Sequence, residues 1–190
     1  MYGLVNQALE DFVRQGFGDA AWNTIRDGAG VSQDMFVSMD SYPDYVTYKL
    51  VGVAAEVLGL DAAQILERFG EHWVLYTAQA GYGEMLAMFG SDLRAFLFNL
   101  DNLHSHVAMT FPDLRPPSFK VEQIDGTDSL LLHYHSERTG LAPMVVGLLK
   151  GLGKRFSQDI SIRQTAHCGP DDHDVFRIDY VAAGASPPKQ

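Results

Sequence analysis

Residues 100–124 read LDNLHSHVAMTFPDLRPPSFKVEQI, and the spacing of apolar residues changes inside them. Upstream, Leu93, Phe96, Leu97, Leu100 and Val107 recur at helical intervals, which predicts a long helix from about Ser91 to Met109. Pro112 ends it, because the residue before a proline is pushed out of the helical region. From Ser118 onward the pattern alternates. Phe119 and Val121 fall on one face and Lys120 and Glu122 on the other, as a strand half buried in a sheet requires. The chain therefore divides into a helical first part and a later part that contains strands.

Toward the N-terminus, Leu4, Val5, Ala8, Leu9, Phe12 and Val13 trace one helical stripe, and Val46, Leu50, Val53 and Val57 trace another over 45–58. Asp61 with Gln64 three residues on has the form of a capping box, opening a helix expected to end at Gly70. The apolar stretch 71–89 is interrupted by Gly81 and Gly83. Toward the C-terminus, a turn at 125–128 (DGTD) leads into a second strand over 129–138. Pro143 marks a helix start, with Leu141, Val145, Leu148 and Leu152 on its buried face. Strands near 159–166 and 174–181 follow, joined by the polar loop HCGPDDHD. The expected class is α+β: a helical N-terminal part packed on a small four-stranded antiparallel sheet with one inserted helix. One domain over 1–183 is expected, followed by a disordered tail, GASPPKQ, at 184–190.

The chain has 190 residues with 14 Lys+Arg against 24 Asp+Glu, a formal net charge of −10. That balance argues against nucleic acid and against an anionic membrane surface, both of which repel an acidic protein. The single cysteine, Cys168, excludes an internal disulfide and any site needing several thiolates from one chain. The longest apolar run, Leu141–Leu149, contains a proline and falls far short of the ~20 residues of a membrane span. The opening segment MYGLVNQALEDFV has no basic residue and is unlike a signal peptide. A cytoplasmic protein is expected, with no output module of its own. No Gly-rich phosphate loop, serine nucleophile elbow or pair of catalytic carboxylates stands out, so no enzymatic activity is expected.

Two groups of residues carry chemistry. His104 lies at i+4 from Leu100 and i+7 from Leu97, so it points into the core, whereas His106 falls on the exposed side. A buried imidazole needs partners for its nitrogens. A metal ion would supply one, and a core histidine satisfied by hydrogen bonds fits the same spacing. Tyr134, Ser136 and Arg138, two apart, share one face of the second strand, if it extends that far. Two hydroxyls and a guanidinium suit a carboxylate or phosphate, although a solvated strand end shows the same alternation. Together the groups match the two ends of a haem, an iron needing an axial ligand and propionates needing donors.

The segment LDNLHSHVAMTFPDLRPPSF, with YHSER some thirty residues after the histidine, resembles the H-NOX family of haem nitric oxide/oxygen-binding domains, which is similar to the haem domain of the soluble guanylate cyclase beta subunit. The resemblance runs from MYGLVN through RFSQDISI. It implies haem b (iron protoporphyrin IX) between the helical part and the sheet. His104 would be the proximal iron ligand, Tyr134, Ser136 and Arg138 would hold the propionates, and Pro117, next to Pro116, would pack against the porphyrin. Oxygen-binding members carry a distal tyrosine where this chain has Met144, which cannot donate a hydrogen bond. Val5, Leu9, Trp73 and Leu148 would complete the pocket, and Trp73 and Tyr82 bring donors of their own. The resemblance thus implies a sensor of nitric oxide, also binding carbon monoxide. It would act by release of the proximal histidine on a separate histidine kinase or cyclic-di-GMP-metabolising enzyme. A haem-free module for a small ligand and an oxygen-binding haem sensor are the alternatives. Some family members bind zinc through several cysteines near the loop at 167–174. With only Cys168 there, the loop offers either a looser His/Cys/Asp zinc site or a solvated turn.

Overall fold

The computed structural model describes residues 1–31, 35–166 and 173–181. Its helices are α1 (Gly3–Phe17), α2 (Asp19–Gly28), α3 (Asp44–Leu58), α4 (Ala62–Thr77), α5 (Gly83–Ala87), α6 (Leu93–Phe98), α7 (Leu100–Thr110) and α8 (Ala142–Arg155). The strands are β1 (Ser118–Gln123), β2 (Leu130–His135), β3 (Ile160–Ala166) and β4 (Asp174–Tyr180). They form one antiparallel sheet in the order β1-β2-β4-β3, with α8 carrying the chain from β2 to β3. The α+β architecture expected from the change of period is the one observed.

Several boundaries differ from the sequence reading. The expected helix over 91–109 is two helices, α6 and α7, separated at Asn99, whose φ of −101° and ψ of 5° interrupt the helical path. The Asp61–Gln64 capping box does open α4, but the helix runs through Gly70 to Thr77. Gly70 is a packing position rather than a stop. A side-chain carbon there would run into the carbonyl oxygen of Met144, and one on Gly147 of α8 into that of Glu67. These two glycines let α4 and α8 approach backbone to backbone, and Lys150–Glu67 (2.5 Å) and Lys154–Glu71 ion pairs flank the seam. Beyond α4 the chain kinks across Ala78–Tyr82, where Gly81 adopts a φ of +97° that other residues rarely tolerate. Helix α2, not anticipated from sequence, is held by Trp22 and Ile25, both fully buried.

The buried residues form two clusters. One lies among α1–α4, with Ala8, Leu9, Val13, Trp22, Ile25, Leu50, Ile65 and Phe69. The other lies between α6–α8 and the inner face of the sheet, where Leu130, Leu132, Tyr134, Phe176 and Ile178 meet Phe96, Leu97, Val145 and Leu149. No helix among the described residues is long and apolar enough to cross a membrane. Residues 182–190, which include the expected tail, lie outside the described residues, as do His167, Cys168, Asp171 and Asp172 of the loop considered for zinc.

Candidate cofactor site

Helix α7 spans one wall of a cavity of about 330 Å³. Leu100, Leu103, His104 and Val107 face it from α7, Trp73, Val74 and Thr77 from α4, and Met144, Val145, Leu148 and Leu149 from α8. Phe119, Leu132 and Tyr134 close it from the sheet. Apart from a few polar groups the lining is hydrocarbon, which suits a large flat apolar ligand.

His104 is oriented by its own helix. Its Nδ1 lies 2.8 Å from the carbonyl oxygen of Leu100, and its ring packs 5.1 Å from that of Phe119. A carbonyl only accepts, so Nδ1 carries the proton and Nε2 keeps its lone pair. Burial holds the imidazole below its ordinary pKa, outweighing the Leu100 contact and the nearby Asp101, so the ring is neutral at physiological pH. A neutral imidazole with one nitrogen fixed by a carbonyl and the other bearing a lone pair in a cavity wall is the form in which histidine binds a metal. Asp101 also accepts from the backbone amide of Phe119 (3.0 Å), tying α7 to β1.

Tyr134, Ser136 and Arg138 meet at one end of the same cavity, though not as an extended strand. Strand β2 ends at His135. The chain then turns, and Ser136 Oγ accepts a hydrogen bond from the backbone amide of Arg138 (3.0 Å), a local side-chain turn that brings the three side chains together. Tyr134 is buried, and burial raises its pKa against the opposing hydrogen bond with Ser136. Arg138 Nε donates to Asp44 Oδ2 (2.8 Å) and its Nη1 to the Arg115 carbonyl (2.8 Å), while Nη2 stands 3.5 Å from Asp44 Oδ1. Of five guanidinium protons, these contacts leave two for an anion. Asp44 is the residue that sequence reasoning missed. It opens α3, and nothing in its local sequence points to a partner 94 positions away.

The other expected pocket residues divide. Val5, Trp73, Met144, Leu148 and both Pro116 and Pro117 line the cavity. Leu9 does not. It is wholly buried in the N-terminal cluster, because one turn of α1 beyond Val5 its side chain meets the other helices instead of the cavity. In the cavity lining, the Thr77 hydroxyl bonds back to the Trp73 carbonyl (2.8 Å) in its own helix. Tyr82, at the end of the kink after α4, also reaches the lining.

Residues 2–164 match the family model described as Haem-NO-binding. The chain belongs to this family. Haem-NO-binding (H-NOX) domains are haem-based sensor modules related to soluble guanylate cyclase, and the His104 face and the Tyr134–Arg138 end present the donors a haem requires. Among curated relatives, soluble guanylate cyclase gcy-32 of Caenorhabditis elegans is 33% identical over 168 residues, covering 85% of this chain and 24% of the relative. Soluble guanylate cyclase gcy-35 of the same organism is 30% identical over 189 residues, covering 95% and 27%. The chain thus spans about a quarter of the length of these relatives. Among solved structures, an H-NOX protein from S. oneidensis in the Fe(II)NO state superposes with a TM-score of 0.86 at 22% identity, covering 96% of this chain and 100% of that one. An unliganded Fe(II) H-NOX protein mutant from K. algicida gives 0.83 at 21%, covering 96% and 97%. These structures share the fold.

Proposed function

We propose that this chain is a cytoplasmic sensor of nitric oxide, built on ferrous haem b and acting on a separate signalling protein. The observation that carries the reading is the neutral His104 with its Nε2 left to an apolar cavity, at whose end Tyr134, Ser136 and two spare protons of Arg138 gather. His104 would hold the iron, the trio would take the propionates, and Pro117 would bear on the ring face. Bound ferrous haem would supply an iron able to take up nitric oxide or carbon monoxide, and His104 would be the protein ligand whose hold on it that binding weakens. Met144 lines the same cavity as His104 and donates no hydrogen bond, and the Thr77 hydroxyl is turned to its own helix. That wall favours a gas needing no donor over dioxygen, which gains from one.

Were His104 to lose its hold on the iron, α7 would be held by its own packing and by the Asp101–Phe119 hydrogen bond. A partner that prefers one position of α7 reads the difference as a shift in population. A histidine kinase or a cyclic-di-GMP-metabolising enzyme is the proposed partner. The test is His104→Gly expressed with free imidazole. The purified variant should lose its native visible spectrum when imidazole is removed, and an unchanged spectrum overturns the role of His104. A wild-type chain that is colourless and takes up no haemin overturns the haem reading. Trp73 and Tyr82 at the lining give dioxygen a second route, and a stable oxygenated spectrum of the ferrous protein in air would replace nitric oxide by dioxygen as the ligand sensed.

A further inference from the structure

The walls of the cavity differ in how firmly they are held. Helices α4, α7 and α8 and strands β1 and β2 are regular elements with their own backbone bonding. Between α7 and β1 the chain passes along the cavity without it. Residues 111–117 (FPDLRPP) include three prolines, which have no amide proton to give to a helix or a ladder. Among the described residues, the one backbone hydrogen bond internal to the stretch runs from the Leu114 amide to the Phe111 carbonyl (2.9 Å). Leu114 and Arg115 line both the cavity and a second, polar pocket of about 560 Å³, which the exposed Ser41 and Asp113 border. The stretch is thus a thin partition between the apolar cavity and a pocket at the surface.

Side chains hold the partition instead. Tyr2, buried at the start of the chain, accepts a hydrogen bond on its hydroxyl from the Asp113 amide (2.9 Å). Its ring meets that of Phe111 edge-on, with centroids 4.7 Å apart. At the other end, Arg138 Nη1 donates to the Arg115 carbonyl (2.8 Å). The Arg115–Glu137 contact, at 3.5 Å between side chains each 77% exposed, adds little.

We propose that residues 111–117 form a lid through which haem enters and leaves the cavity, latched by Tyr2 at one end and by Arg138 at the other. The inference rests on the haem reading above. Haem is apolar over its ring and charged at its propionates, which are costly to bury, so the ring goes in first and the propionates stop at the mouth. The donors proposed for them, Tyr134, Ser136 and Arg138, sit at the end of the cavity where the lid lies. Arg138 serves both parts. One of its protons holds the Arg115 carbonyl while its spare protons take a propionate, so a captured propionate also keeps the lid shut. Opening the lid breaks two hydrogen bonds and one ring contact. Opening the cavity at α4 or α8 would break the backbone-to-backbone seam at Gly70 and Gly147, so the lid is the wall of lowest local stability.

The test is haemin exchange by the full chain carrying Tyr2→Phe, which keeps the ring against Phe111 and removes the hydroxyl. Uptake by the haem-free chain, and loss from the loaded chain to an apomyoglobin acceptor, are followed by visible absorption. A latch controls passage in both directions, so both rates should rise about fivefold, the worth of one hydrogen bond, with the dissociation constant as in wild type. Unchanged rates overturn the proposal. So does faster loss without faster uptake, the mark of a residue that only supports the loaded state. Should Tyr2→Phe not fold, hydrogen exchange of the wild-type chain decides. The amides of 113–115 should exchange by local opening, faster than those of α8, and slow when haemin is bound. Exchange no faster than that of α8 overturns the lid. A wild-type chain that takes up no haemin overturns the haem reading and the lid with it, whereas uptake and loss indifferent to Tyr2→Phe overturn the lid alone.

Discussion

The two hydrophobic clusters are made of similar residues and end in different states. Around α1–α4, Leu9, Trp22, Ile25, Leu50 and Ile65 are at most 1% exposed and the cluster is closed. Around α6–α8 and the sheet, Leu100, Leu103 and Leu152 face a cavity of about 330 Å³. Close packing is the rule for protein interiors, so space of this size lined by leucines forfeits contacts that a ligand can restore. The closed cluster makes the fold, and the open one makes the fold responsive to what fills it.

The largest test of this contrast is haemin itself. A ligand bound only by the folded state stabilises it by about 4 kcal/mol when free at a thousand times its dissociation constant. Urea unfolding of the chain with and without haemin should show that rise. No change in midpoint would mean that the cavity does not take the ligand. Next in size, Leu9→Ala should cost about 3 kcal/mol in both forms, because it empties a closed core. Leu103→Ala, at the edge of existing space, should cost less without haemin and more with it. Equal costs for Leu103→Ala in the two forms would erase the distinction between the clusters.

The seam between the clusters comes next. Gly147→Ala should destabilise by about 2 kcal/mol, since its new carbon meets the Glu67 carbonyl and α4 and α8 must separate. Gly52, inside α3 with open space around it, is the control, where alanine should stabilise by about 0.5–1 kcal/mol. Met144→Tyr tests the cavity wall contributed by α8. A donor there should slow the loss of dioxygen from the ferrous protein about fivefold, the worth of a hydrogen bond of about 1 kcal/mol. Spectra recorded in air against time would read it, and an unchanged rate would mean the new hydroxyl misses the ligand.

What could be read in the sequence followed from short-range pattern. The change of period between Met109 and Ser118 marks the real junction of α7 and β1, and Asp61–Gln64 is a real capping box. His104 sits in the cavity wall because its helix presents Leu100 one turn before it and Val107 one turn after. What could not be read depends on distance along the chain. The break at Asn99 lies inside an unbroken apolar stripe. Gly70 looks like a stop until α8 is laid against it. Val5 and Leu9 share a helix face, yet only Val5 reaches the cavity, since which turn of α1 faces which neighbour is a property of the assembled helices. The turn that gathers Ser136 and Arg138 keeps the expected trio together by a different backbone than alternation implies.

The smallest effect concerns the Asp44–Arg138 pair, where the α1–α4 half touches the end of the cavity. Burial pushes the Asp44 carboxyl up, but the Met1 ammonium (2.6 Å) and Arg138 (2.8 Å) outweigh it and hold its pKa below the ordinary value of 3.8. A carboxylate depressed in the folded state contributes stability that is fully present above its unfolded pKa and lost as the pH falls through the folded one. Asp44 is 39% exposed, so solvent screens the pair and the contribution should stay under about 1 kcal/mol. Asp44→Asn should therefore lower the urea midpoint slightly at pH 7, and the difference from wild type should close below pH 3.8. Comparing the two proteins at each pH cancels the separate loss of stability from His104, which is kept neutral in the fold and gains a proton on unfolding below its ordinary value of 6.5. A gap that stays constant down to the most acid condition would show that Asp44 contributes through its hydrogen bonds to Arg138 rather than through its charge.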